Sequence, residues 1–133
     1  ISGPLLDRID IHLDVPAIKA DKLVTQTNDD GESSKSIRER VQKARDIQTI
    51  RFKKSNLIAN ADLTNKSIKE FCALSDDCLE LLRTAVVRLN LSGRGYNRTI
   101  KVARTIADLS EEKAILPEHI AEALQYRSKE NKL

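Results

Sequence analysis

Four cationic side chains recur on one side of residues 92–109. Wound at about 100° per residue, this stretch gathers Arg94, Arg98, Lys101 and Arg104 together, with Asp108 near them. Tyr96, Ile100, Val102, Ala103, Ile106, Ala107 and Leu109 fall on the opposite, apolar arc. A helix with one buried face and a cationic face at its N-terminal half is suited to hold an anion. A guanidinium is always charged and matches phosphate oxygens in pairs. A further arginine, Arg8, stands between Asp7 and Asp10 just before an alternating segment. Plain structural explanations exist for both features: a solvated basic face for the first and a surface ion pair for the second.

No other residue set spells out a reaction. Gly93-Arg94-Gly95 is too short for a phosphate-cradling loop and has no strand before it. Cys72 and Cys78 are the two cysteines and His12 and His119 the two histidines, and none shares a zinc-type spacing. The simplest reading of the cysteines is two free core thiols in a cytosolic protein. His12 falls on the polar side of its segment, and Asp29, Asp30 and Glu32 cluster in a polar loop. Solvent exposure explains both better than ligation does. A net charge of +3 is mild, and two Tyr, two Phe and no Trp leave no stacking platform for single-stranded nucleic acid. No run is long and apolar enough for a membrane span.

The elements that position these residues follow from pattern and caps. Ile9, Ile11, Leu13 and Val15 alternate with Asp10, His12 and Asp14 up to Pro16, which reads as a half-buried strand over 9–15. Residues 17–33 lose periodicity and read as a mobile loop. Helices are expected at about 35–54, 65–73, 76–90, 95–109 and 117–127, and residues 128–133 as a frayed tail. Ser36 and Glu39 fit a capping box for the first of these, while Thr64, Ser75 and Ser92 are N-cap candidates and Pro117 opens the last. Ile37, Val41, Ala44 and Phe52 make a narrow stripe on the first helix. The broad apolar arc of residues 76–90 marks it as the central helix. The fold class is mainly α: a bundle of about five helices over 34–127, preceded in 1–33 by one strand and a loop. The opening at Ile1 within a patterned segment and the absence of Met point to a piece of a longer protein.

The strings Gly3-Pro-Leu-Leu-Asp-Arg-Ile-Asp-Ile-His12, Ile37-Arg-Glu-Arg-Val-Gln-Lys-Ala-Arg45, Tyr96-Asn-Arg-Thr-Ile-Lys-Val-Ala-Arg-Thr-Ile-Ala-Asp-Leu109 and Ile120-Ala-Glu-Ala-Leu-Gln-Tyr-Arg127 resemble the C-terminal region of one family. It is the bacterial magnesium-chelatase-like AAA+ ATPases of the YifB/ComM type. The resemblance implies that residues 34–127 are the helical lid of a hexameric, cytoplasmic ring ATPase and that 1–33 hold the last strand of its core. It also implies roles. Arg8 resembles an arginine finger that reaches in trans to the γ-phosphate of a neighbouring subunit's ATP, and Arg98 resembles the sensor-2 arginine, acting in cis or in trans. Walker A, Walker B and sensor 1 are absent, so this chain alone is not expected to hydrolyse Mg-ATP. The parent is expected to be an ATP-driven DNA motor in recombination and competence. The alternatives are a non-catalytic DNA- or protein-binding bundle and the ATPase subunit of a metal chelatase.

Overall fold

The computed structural model describes residues 2–24 and 31–127. A four-residue helix α1 (Gly3–Leu6) and a five-residue helix α2 (Ala20–Val24) precede α3 (Ser34–Arg51). After a 3-10 turn at Asn60–Asp62 come α4 (Asn65–Phe71), α5 (Asp76–Leu89), α6 (Gly93–Leu109) and α7 (Pro117–Gln125). These five longer helices are the expected bundle.

Their starts are set by side-chain oxygens that take up otherwise orphaned N–H groups. Ser75 accepts from Cys78 N at 3.2 Å and Ser92 from Gly95 N at 3.0 Å. Thr64 and Ser67 cap each other: Ser67 N donates to Thr64 Oγ1 at 3.2 Å and Thr64 N to Ser67 Oγ at 2.7 Å. Pro117 sits in the first turn of α7, where its missing N–H costs nothing. Helix α5 ends on Asn90 in the left-handed region at φ 51°, a conformation asparagine tolerates better than most residues. At α3 the cap is Ser33, which accepts from Ser36 N at 3.1 Å. The helix therefore starts earlier than a Ser36–Glu39 box requires, and Ser36 Oγ donates instead to Glu32 at 3.1 Å.

One cluster fills the core: Phe52, Leu63, Ile68, Cys72, Cys78, Leu82, Ile100, Ala103, Ile106, Ile115, Ile120 and Ala123. Helix α6 is its hub, packing against α3, α4, the 3-10 turn and α7. This corrects the expectation that residues 76–90 form the central helix. In α5 only Cys78, Leu82 and Ala85 are buried, while Val87 is 80 % exposed. Its broad apolar arc overstates its burial because one stripe meets α7, Leu81, Val86 and Leu89 are only partly covered, and Leu79 and Val87 face out. The stripe on α3 is also shorter than its pattern: Ala44 and Phe52 are buried, but Ile37 and Val41 are exposed.

The segment before the bundle differs from expectation in two places. No strand occurs among the described residues, and 9–15 is irregular. A strand exists through its ladder, and here the backbone bond to another element is His12 N to Tyr126 O at 2.6 Å. Ile9, Ile11, Leu13 and Val15 are all exposed, so the alternation has no sheet to face. Within 17–33, where no periodicity is visible, Ala20–Val24 closes a helical turn with Asp21 at its start. Such an acidic first turn suits the helix dipole. The remaining loop with Asp29 and Asp30, and the tail 128–133, lie outside the described residues. Glu32 is engaged in an ion pair with Arg40, Nη2 to Oε1 at 2.9 Å. That pair, with Ser36 second, holds the Glu32 carboxyl below its ordinary range.

Candidate functional site

The four cations of α6 separate into different environments once the helix is packed. Arg94 is exposed. Lys101 Nζ donates to Ala61 O at 3.3 Å. Arg104 is 4 % exposed and wholly engaged: Nε donates to Asp108 Oδ1 at 3.2 Å, Nη1 to Lys113 O at 3.0 Å and Nη2 to Glu112 O at 2.8 Å. It closes the 110–112 turn, where Glu111 takes a positive φ of 56°. So Arg104 leaves the basic face and joins the interior.

It meets there a polar network that the sequence pattern does not announce. Asp108 is fully buried and accepts from Arg51 Nη1 at 2.8 Å and Nη2 at 2.5 Å, in paired geometry. Asn60 Nδ2 donates to Asp108 Oδ2 at 2.9 Å, and Asn60 N to Gln48 Oε1 at 2.9 Å. One buried carboxylate thus ties α3, the 3-10 turn and α6 together. A buried charge is tolerated only when paired and hydrogen-bonded on every side. The Arg104–Asp108 spacing of four was visible in sequence; the Arg51 partner, 57 positions away, was not.

Arg98, like Lys101, stays partly exposed on the face. Its Nη1 donates to Asp10 Oδ1 at 2.5 Å, with 30 % of the Arg98 side chain and 50 % of the Asp10 side chain in solvent. Asp10 stands two positions after Arg8, which is exposed, and no hydrogen bond or ion pair among the described residues engages the Arg8 guanidinium. The ion pair therefore brings the backbone segment that carries Arg8 to the first half of α6, where Arg98 stands.

A third arginine, absent from the sequence reading, holds the Arg8 segment in place. Arg127, just beyond α7, is 8 % exposed; its Nη1 donates to Ile9 O at 2.9 Å and its Nη2 lies 3.9 Å from Asp7 Oδ1. Burial pulls its pKa below the ordinary arginine value, opposed first by Asp7. Its closeness to α6 depends on Gly95: a Cβ there would stand 3.3 Å from Arg127 Nη2 and 3.5 Å from Ser92 Oγ. His12 adds a further tie. Its Nε2 lies 3.1 Å from both Leu6 O and Ile9 O, so that nitrogen carries the proton and donates to the two carbonyls. The sequence signal for Arg127 was only its place at the end of a family string.

The two thiols are free and buried, and burial pushes Cys72 above its ordinary value, which makes it inert. No group of three or more His, Cys, Asp or Glu positioned to hold a metal occurs among the described residues, and none of their helices is long and apolar enough to cross a membrane. Among the described residues the arrangement can offer an anion the exposed guanidinia of Arg8 and Arg94 and the partly exposed one of Arg98, with the carboxylates of Asp7 and Asp10 beside them.

The pattern of the family described as magnesium chelatase, subunit ChlI C-terminal, matches residues 31–127. Competence protein ComM of Haemophilus influenzae is 44% identical over 128 residues, 96% of this chain and 24% of that protein. Protein YifB of Escherichia coli is 38% identical over the same share of each, and a protein of Mycobacterium tuberculosis is 33% identical over 127 residues. The chain thus spans about a quarter of the length of the curated relatives it matches. With α3 to α7 and the α6 hub inside the matched span, the chain belongs to the magnesium-chelatase-like family of the ComM and YifB type, as its C-terminal region.

Proposed function

We propose that this region is the helical lid of a cytoplasmic, hexameric AAA+ ATPase, in which Arg8 serves as an arginine finger in trans and Arg98 as the sensor-2 arginine. The observation that carries the reading is the Arg98–Asp10 ion pair, which brings the Arg8 segment to the first half of α6. The guanidinia of Arg8 and Arg98 fit the terminal phosphate of a nucleotide, where each adds paired donors to a charge that grows in the transition state. Their common location favours both arginines serving one nucleotide, bound on the neighbouring subunit. Mg-ATP would be bound and activated by the core of that neighbour; the residues of this region orient its phosphates and sense their presence.

The parent is an ATP-driven DNA motor in this reading. Support comes from the name of the Haemophilus influenzae relative, a competence protein; the same proposal assigns the motor to recombination of incoming DNA. Replacing Arg98 by Ala in the full-length protein tests the core of the reading. Loss of ATP turnover with assembly retained supports a sensor, and unchanged turnover with unchanged ATP affinity rejects it.

A further inference from the structure

Beside the backbone bond from His12 N to Tyr126 O, side-chain straps of unequal strength hold the Arg8 segment to the bundle. The inner one is Arg127, with a side chain 7 % exposed, on the Ile9 carbonyl and near Asp7. The outer one is Asp10 on Arg98, with both partners open to water. A buried arginine bound to a backbone carbonyl is hard to displace. A half-exposed ion pair is weak, because water competes for both charges. Asp10 also offers Arg98 the same chemistry as a phosphate, anionic oxygens that accept from a guanidinium.

We propose that Asp10 is an intramolecular plug on Arg98, which the terminal phosphate of a nucleotide displaces. The inference rests on the sensor reading of Arg98 given above. In the empty state the carboxylate satisfies the guanidinium and adds an outer hold on the Arg8 segment. A phosphate carries more charge and more acceptor oxygens, so it takes Arg98 and leaves the segment on Arg127 and on the backbone bond from His12 N to Tyr126 O. Arg8 is then freed at the moment a nucleotide is present, and its segment pivots about Ile9. No covalent step is involved; the exchange is one anion for another at one cation.

The test is Asp10→Asn in the full-length protein, an isosteric change at an exposed side chain, with ATP as the probe. Removing the competing charge should lower the KM for ATP about two- to fivefold, the range an exposed ion pair supplies. The gain should vanish in an Arg98→Ala background. An unchanged or raised KM in Asp10→Asn overturns the plug, as does a gain that persists without Arg98. The two readings fail separately. If Arg98→Ala raises the KM while Asp10→Asn does nothing, the sensor stands and the plug falls. If Arg98→Ala changes neither turnover nor KM, the sensor reading falls and takes the plug with it.

Discussion

The Arg127 guanidinium reaches back 118 positions to the carbonyl of Ile9, at 2.9 Å. A charged donor on a backbone oxygen, largely out of water, is among the stronger hydrogen bonds a protein makes. It fixes a segment that otherwise has little buried apolar surface, since Leu5, Ile9, Ile11 and Leu13 are all exposed. Arg127→Gln should therefore release residues 2–16 while leaving α3–α7 folded. Hydrogen exchange should show loss of protection at the His12 amide, which donates to Tyr126 O, without change in α6. Protection retained at His12 would mean that the backbone contact suffices.

The bundle itself depends on Asp108. Replacing it with Ala leaves Arg51 and Arg104 facing each other without their shared carboxylate. Breaking a buried pair in this way costs about 3–5 kcal/mol, which should appear as a large drop in the urea midpoint. Arg83→Ala is the contrast. Its ion pair with Glu80 is more than two-thirds exposed on both sides, and its loss should be within about 1 kcal/mol of neutral.

Two glycines two residues apart should answer the same substitution differently. An alanine Cβ at position 93 would have no neighbour within 4 Å, whereas one at position 95 meets Arg127 Nη2 at 3.3 Å. Gly93→Ala should stabilise by up to about 1 kcal/mol through helix propensity alone. Gly95→Ala should gain less or lose, because the guanidinium must shift. Urea unfolding of both variants, with exchange at His12 as the local report, separates the two effects.

Stability should also fall at high pH through Cys72. Burial raises its folded-state pKa above the ordinary 9.0, so the folded protein holds a proton that the unfolded chain releases. The contribution is fully present below about pH 9 and is lost as pH rises through the folded value. From pH 8 to 10 the unfolding free energy should fall more steeply in wild type than in Cys72→Ala, and the native thiol should resist alkylation at pH 8. Fast alkylation of Cys72 at that pH would contradict its burial.

If the proposed ring-ATPase reading holds, Arg8→Ala in the full-length protein should reduce ATP turnover by about 10³-fold, the scale of an arginine finger. Mixing the variant with subunits that carry Arg8 but cannot bind nucleotide should restore activity if the guanidinium acts across the interface. No recovery in mixed rings would place it in cis.

Local signals in the sequence were strong where the structure is local. Thr64, Ser75 and Ser92 mark helix starts because a cap is decided within four residues. At α3 two serines three apart fit the same rule, and Ser33 wins. Long-range choices were not legible. Alternation over 9–15 reports which side chains would face a sheet, but not whether a sheet is there. The arc of α5 and that of α6 look alike in sequence, yet α6 alone has neighbours on several sides. Arg98 and Arg8 stood out by type and family pattern. Arg127, Asp10 and Arg51 did not, since their partners lie 118, 88 and 57 positions away.

The Asp108 network has a consequence for the opposite end of α6. Apolar contacts are non-directional and would let a helix slide along its own axis at little penalty. Bonds of 2.5 to 2.9 Å from Arg51 and Asn60 would not, because a slip of one residue moves the carboxylate by about 1.5 Å. The helix is indexed at its C-terminal end like a ruler clamped at one mark. Ten positions back, about 15 Å along the rod, Arg98 takes its height from that clamp rather than from the solvent around it.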